Sequence, residues 1–344
     1  MNSVQPQMTW RRAVSILWFP IFFAVVLPVA FQVSYEQQTP HRMEIAAVGN
    51  ANRIGLLSAQ LHRVSANGFE IRRLDSLSTA TAEVRERKVD AAYAAGVTGT
   101  VYVARAASAI RATYLQGVFT RIAAGARRRA PGFVDLVPLE SGDGGTGIFF
   151  FVFPLMMAGL IAAIVLLQLP SWRIGRRVAF VTAVGAISAL AAYLTVVGLD
   201  VLPGKLLLLV YAFLLSQVYG QLMVGAAPPL KQYFLPVSLT AALILSVPSS
   251  GGTIPPDLLP AFFRDLNYVL PLAQGVKVTR AVAYFHSSGI AQATLVLGLW
   301  AAIAAGIVAV AWRRQPPVAV AGAESVAGLN GMTRVADAPV PAAT

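Results

Sequence analysis

Residues 148–169, IFFFVFPLMMAGLIAAIVLLQL, run from end to end without a charged side chain. A hydrocarbon core about 30 Å thick is crossed by ~20 apolar helical residues, so this stretch reads as a membrane span. Working outward, residues 13–33, 178–199, 206–227 and 290–312 read the same way, and 233–247 is a shorter apolar run that stops at Pro248-Ser249-Ser250-Gly251-Gly252. Proline and paired glycines end helices there. The pattern predicts an α-helical integral membrane protein with six transmembrane helices in a 1+5 arrangement, the first separated from the rest by a hydrophilic stretch at 34–147.

Composition agrees, with 56% of residues hydrophobic and 12% charged, against roughly 25% charged in soluble domains. Basic residues set the expected orientation, because short loops rich in Lys and Arg stay cytoplasmic. Arg11 and Arg12 precede the first run, Arg173, Arg176 and Arg177 follow the second, Lys231 lies between the fourth and fifth, and Arg313 and Arg314 follow the last. Six crossings put all of these on one side. Residues 1–12 and 313–344 are then cytoplasmic, 34–147 lies outside, and the chain is a multi-pass protein of the cell membrane. Lys205, Arg264, Lys277 and Arg280 fall on the opposite side and blur the pattern.

The net charge of +12 comes largely from these anchors and from the external stretch, where Arg127-Arg128-Arg129 is the densest cluster. On a membrane protein such a triplet meets lipid head groups or keeps a face solvated, and nucleic acid is not an expected partner. The first apolar run exceeds a signal-peptide core and lacks a small-x-small cleavage site, so it reads as an uncleaved anchor. Arg11-Arg12 is explained by the same anchoring.

The chain has no cysteine, so the external domain must be held by packing, and about 110 residues suffice for one small core. Its pattern is mixed α/β. Strands are expected at 43–48, 69–74, 91–95 and 100–104 and helices at 52–66, 78–88 and 107–124, with Asp143-Gly144-Gly145 as a flexible joint into the second span. The turn at 49–52 lacks a phosphate-loop pattern and reads as a strand-to-helix turn with an asparagine cap. His41, His62 and His286 are scattered, without a carboxylate cluster, so neither a metal site nor acid–base chemistry is expected. Pro203-Gly204-Lys205 lacks the upstream glycine of a nucleotide-binding loop.

Past the fifth run, Leu258, Leu259, Phe262, Phe263 and Leu266 share one face of a helix expected at 256–270, with Arg264, Asp265 and Asn267 pointing elsewhere. Residues 248–289 should form an external segment, either re-entrant or lying in the interface. Ser249, Ser250, Gly251, Gly252, Pro255, Pro260, Pro271 and the downstream Arg280 are its marked positions. This succession resembles the end of the permease subunits of ABC-2 type exporters, especially the phage-infection-protein (YhgE/Pip) branch. The 1+5 arrangement with an external domain is similar to that branch as well.

The resemblance implies a permease half that works as a homodimer or with a related permease, beside a separate ATPase subunit that binds and hydrolyses ATP. This chain would then bind no cofactor and have no enzymatic activity. It also makes Arg11, Arg12, Trp172, Arg173, Arg176 and Arg177 candidates for contact with the ATPase, although interfacial anchoring explains them equally well. Gln217 and Gln221 lie one turn apart beside Ser216 and Gly220, so that face should point into the bundle, as helix-to-helix glue or as the wall of a substrate path. A membrane-anchored receptor or scaffold is the alternative. An enzyme acting on lipid is a weaker third reading, since the spans hold no internal carboxylate or histidine. Residues 315–344 lack helical periodicity and read as a disordered tail.

Overall fold

The computed structural model describes residues 10–36, 40–96 and 99–315, with the side chains of 10–18, 35 and 36 left undescribed. Residues 1–9, in the expected cytoplasmic N-terminus, and 316–344, in the expected tail, lie outside the described residues. Arg11 and Arg12, candidates for ATPase contact, fall at the start of helix α1 (Trp10–Glu36).

The hydrophilic stretch folds as expected, into a small α/β unit: β1 (Met43–Gly49), α2 (Ala51–Val64), β2 (Phe69–Arg73), α3 (Leu77–Arg85), β3 (Ala91–Ala95), β4 (Thr100–Val103), α4 (Ala109–Gly125) and β5 (Gly132–Asp135). The sheet order is β2-β1-β3-β4-β5, with β1 parallel to both β2 and β3, β4 antiparallel to β3, and β5 parallel to β4. Parallel neighbours need long crossovers, which α2, α3 and α4 supply. Strand β5 has no counterpart among the sequence expectations, being four residues long and following the arginine triplet and Pro131.

Alternation along the strands splits the core in two. Met43, Ile45, Ala91 and Val101 face Leu57 and Leu61 of α2 and Leu115, Val118 and Phe119 of α4. Ala46 and Ala92 face Ala80 and Val84 of α3. Neither core is closed within the α/β unit. The first takes in Ile254, Leu258, Leu259 and Phe263 from the C-terminal half of the chain, with α1 residues packed on it, and the second takes in Phe285.

The rest is mostly helical: α5 (Gly147–Leu167), α6 (Ile174–Gly198), α7 (Leu206–Leu230), α8 (Phe234–Leu239), α9 (Ala261–Val269), α10 (Pro271–Tyr284) and α11 (Ile290–Arg313). Four helical runs are long and apolar enough to cross a membrane: α5, α6, a bent run over Leu206–Ser246, and α11. In α1 the apolar helix among described residues is the shorter Phe19–Ser34. The bend lies at Lys231, whose φ of 49° and ψ of −120° leave the helical region after Pro228 and Pro229. The chain turns back there, since Tyr219 Oη reaches Ser246 Oγ at 3.5 Å. The short fifth run is therefore a second arm, α8 followed by a π-helical stretch over Thr240–Ser246.

Helix α7 is the hub, packing against α5, α6, α10 and α11. It meets α5 at Gly159 and Gly220, so closely that a Cβ on Gly159 would lie 2.7 Å from the Gly220 nitrogen and 3.1 Å from the Ser216 carbonyl oxygen. Small residues let helices approach like this where lipid removes the hydrophobic drive for association. Gly159→Ala should therefore force α5 off α7 and destabilise the protein by about 1–3 kcal/mol. Gly298→Ala on α11, where nothing lies within 4 Å, should leave the melting temperature in detergent unchanged or raise it, and equal effects at the two positions would contradict this packing.

Candidate functional site

Gln217 and Gln221 of α7 face α6. The Gln221 amide donates to Thr182 Oγ1 at 3.1 Å and to Gln217 Oε1 at 3.0 Å, with the Val178 carbonyl oxygen 3.3 Å away. Gly185 of α6 opens room for Gln217, because a Cβ there would sit 2.2 Å from Gln217 Nε2. The pair thus joins two helices, as its spacing implied. Its capacity is not exhausted: Gln217 Nε2 and Gln221 Oε1 are buried without a hydrogen-bond partner. Both glutamines border a largely apolar groove of about 550 Å³, walled by Val178 of α6 and by Ala301, Ala304, Val308 and Trp312 of α11, with Arg313 also lining it.

The segment from Pro248 to Leu270 closes over the helices as a strap. The helix expected at 256–270 is interrupted: a 3-10 turn at Pro256–Leu258 is followed by extended backbone at Leu259 and Pro260, and α9 starts at Ala261. Proline disfavours the helical region for the residue before it, which accounts for the ψ of 148° at Leu259. Leu258, Leu259 and Phe263 are buried as expected, but Phe262 is exposed.

Asn267 also departs from expectation. It is buried, and its Nδ2 donates to the Ser249 carbonyl at 2.7 Å. Its own carbonyl accepts from Gln274 Nε2 and Lys277 Nζ of α10. The break at 249–252 is held tightly. Gly251 takes a φ of 70°, a left-handed conformation that suits glycine, and the Gly252 N–H donates to Ser250 Oγ. A Cβ on Gly252 would press on the Phe149 ring at 2.9 Å. Pro255 precedes the 3-10 turn and accepts from Leu258 N–H, while Pro271 opens α10, whose Leu272 N–H donates to Tyr219 Oη at 3.1 Å.

Arg280 of α10 donates from Nη2 to the Gly251 carbonyl at 3.1 Å. An ion pair joins the strap to the α/β unit. Arg111 of α4 grips the carboxylate of Asp257 through Nε, at 3.0 Å, and Nη2, and its Nη1 meets Asp90, whose other oxygen accepts from the Glu44 N–H. Burial pushes the Asp90 carboxyl up, and the Arg111 charge pulls it back. Sequence reasoning missed this triad, since 146 positions separate Arg111 from Asp257.

At the other end, Arg177 donates to the carbonyls of Trp172, Leu169 and Pro170 and so closes the end of α5. Trp172 stacks edge-on against Phe180, leaving Arg173 and Arg176 as the exposed members of the candidate contact loop. Asp143-Gly144-Gly145 is not a loose joint. Asp143 is buried, accepts from the N–H groups of Gly145 and Gly147 at the start of α5, and receives Tyr284 Oη at 3.3 Å.

In the α/β unit, Asn50 caps α2 by accepting from Asn52 N–H, as its turn implied. Beyond the carboxyl ends of β1 and β3, where the strand order reverses, a crevice of about 560 Å³ is bordered by Arg53, Tyr93, Phe119, Arg128 and Arg129. Two members of the arginine triplet therefore line a crevice rather than only a solvated face. Among the described residues no cluster of three or more His, Asp or Glu side chains could hold a metal ion.

Comparison with known proteins finds no matching family model, no matching curated protein and no matching solved structure.

The Asn267 clasp can be tested alone. Asn267→Ala leaves the Ser249 carbonyl buried without its donor and should cost about 1–3 kcal/mol. Hydrogen exchange should accelerate at 249–256 while α5 and α7 stay protected, and unchanged exchange in the strap would show that the clasp does not hold it.

Proposed function

We propose that the chain is the membrane-spanning permease subunit of an ATP-driven exporter of the ABC-2 type, moving an amphiphilic substrate outward. The observation that carries this reading is the glutamine pair of α7, whose side chains border a largely apolar groove while two of their buried hydrogen-bonding atoms have no partner. Buried polar atoms without partners are costly. A site that discriminates amphiphiles by a few placed polar groups is the arrangement they fit.

The strap supports the same reading, because its bonds to α10 and its ion pair to the α/β unit fix it as a lid. In this account the chain crosses the cell membrane six times with both termini cytoplasmic, and works as a dimer or with a related permease. Arg173 and Arg176 would meet an ATPase subunit that binds and hydrolyses ATP. The chain supplies a path whose affinity for substrate differs between inward-facing and outward-facing states, as coupled transport requires.

The crevice at the carboxyl ends of β1 and β3 favours a second reading, a receptor or scaffold whose α/β unit binds a ligand, since open α/β sheets bind ligands where strand order reverses. Copurification from native membranes separates the two. Export predicts a stoichiometric ATPase subunit whose hydrolysis responds to this chain, and a stable assembly lacking any nucleotide-binding partner supports the receptor. Within the export reading, Gln217→Leu with Gln221→Leu should abolish transport while the protein stays folded, and persistent transport would remove the glutamines from the path.

A further inference from the structure

A further cavity, of about 340 Å³, lies where the α/β unit meets the strap and the start of α11, and it is independent of the glutamine groove. Four cations border it: Arg87, Arg111, Lys277 and Arg280. Arg111 is already matched by Asp90 and Asp257. The other three have no carboxylate within ion-pair distance among the described residues. Arg87 donates to the Ser288 carbonyl, Lys277 to the Asn267 carbonyl while lying over the Tyr268 ring, and Arg280 to the Gly251 carbonyl.

Arg280 Nε is buried with no partner at all. An unmatched buried cation is strongly unfavourable unless something neutralises it. Burial, with the charges of Arg87 and Arg111, works against the Arg280 guanidinium, and burial, with the charges of Arg280 and Arg87, brings Lys277 down to about 8. Two acids among four cations leave an excess of two positive charges.

We propose that this cavity binds a phosphate-class anion, a phosphomonoester or free phosphate, between Arg87, Lys277 and Arg280. Such an anion carries close to two negative charges near neutral pH and offers several acceptor oxygens, matching the excess of two. Forked guanidinium groups suit phosphate oxygens. The pocket is small for a whole lipid and suited to a headgroup or a free anion. The site stands whether or not the chain exports anything, since it rests on this cavity alone.

The full chain in nonionic detergent is melted with inorganic phosphate against sodium chloride of equal ionic strength, and with dihexanoyl phosphatidic acid against dihexanoyl phosphatidylcholine. The melting temperature should rise with phosphate, with phosphatidic acid, or with both. A rise with the lipid alone assigns the anion to a headgroup, and a rise with phosphate alone to a soluble ligand. Arg280→Gln and Lys277→Gln should weaken the apparent Kd at least about tenfold, while Arg63→Gln, an equal loss of charge on the exposed face of α2, leaves it unchanged.

Arg280→Gln also removes the donor to the Gly251 carbonyl, so its anion-free melting temperature should fall, and the loss of the phosphate-dependent rise is read against that lower baseline. Should that variant not fold, Lys277→Gln decides. The absence of any rise in the native protein, or an equal rise in the native protein and Lys277→Gln, overturns the proposal.

Discussion

The guanidinium of Arg111 ties the α/β unit to the strap. Its three nitrogens are divided between Asp90, just before the central strand β3, and Asp257, in the strap. Lysine could not do this, having a single charged centre and no fixed fork. Asp257 is held in turn through its backbone carbonyl, which accepts from the His41 N–H at the entry to β1. Because all three side chains are largely withdrawn from water, loss of one leaves the others unmatched, at a cost of about 3–5 kcal/mol. The strap, the hydrophobic surface beneath it and the cationic cavity beside it all take their positions from this bridge.

The lid follows from that constraint together with the backbone demands of the 249–252 break. The break frees carbonyl groups that an apolar surrounding cannot satisfy. Asn267 takes the one at Ser249 and Arg280 the one at Gly251. A loop that would be mobile in water is thereby fixed to α9 and α10.

What was legible in the sequence was whatever depends on local pattern. Apolar runs fixed the long helices to within a few residues, and the alternation around Met43 and Ala91 and the spacing of Ile54, Leu57 and Leu61 marked strands and a helix that fold as read. The inward face of Gln217 and Gln221 was legible for the same reason. Contacts across large sequence separations were not. Lys277 and Arg280 look from the sequence like cations on the wrong side of a membrane, yet they stand one turn apart on α10 facing the cavity. Arg87, Asp90 and Asp257 carry no signature until the chain has folded. The break at Pro260 was readable from the rule for residues before proline, but the apolar spacing across 258–266 concealed it.

The clamp is tested most directly by distance measurement, and the absence of native cysteine makes labelling clean. Spin labels at Ser58→Cys on α2 and His286→Cys between α10 and α11 report the placement of the α/β unit over the helices. A single narrow distance distribution that broadens when Arg111 is replaced by alanine is the predicted result. A broad distribution with Arg111 in place, or a narrow one that survives its removal, would contradict the account.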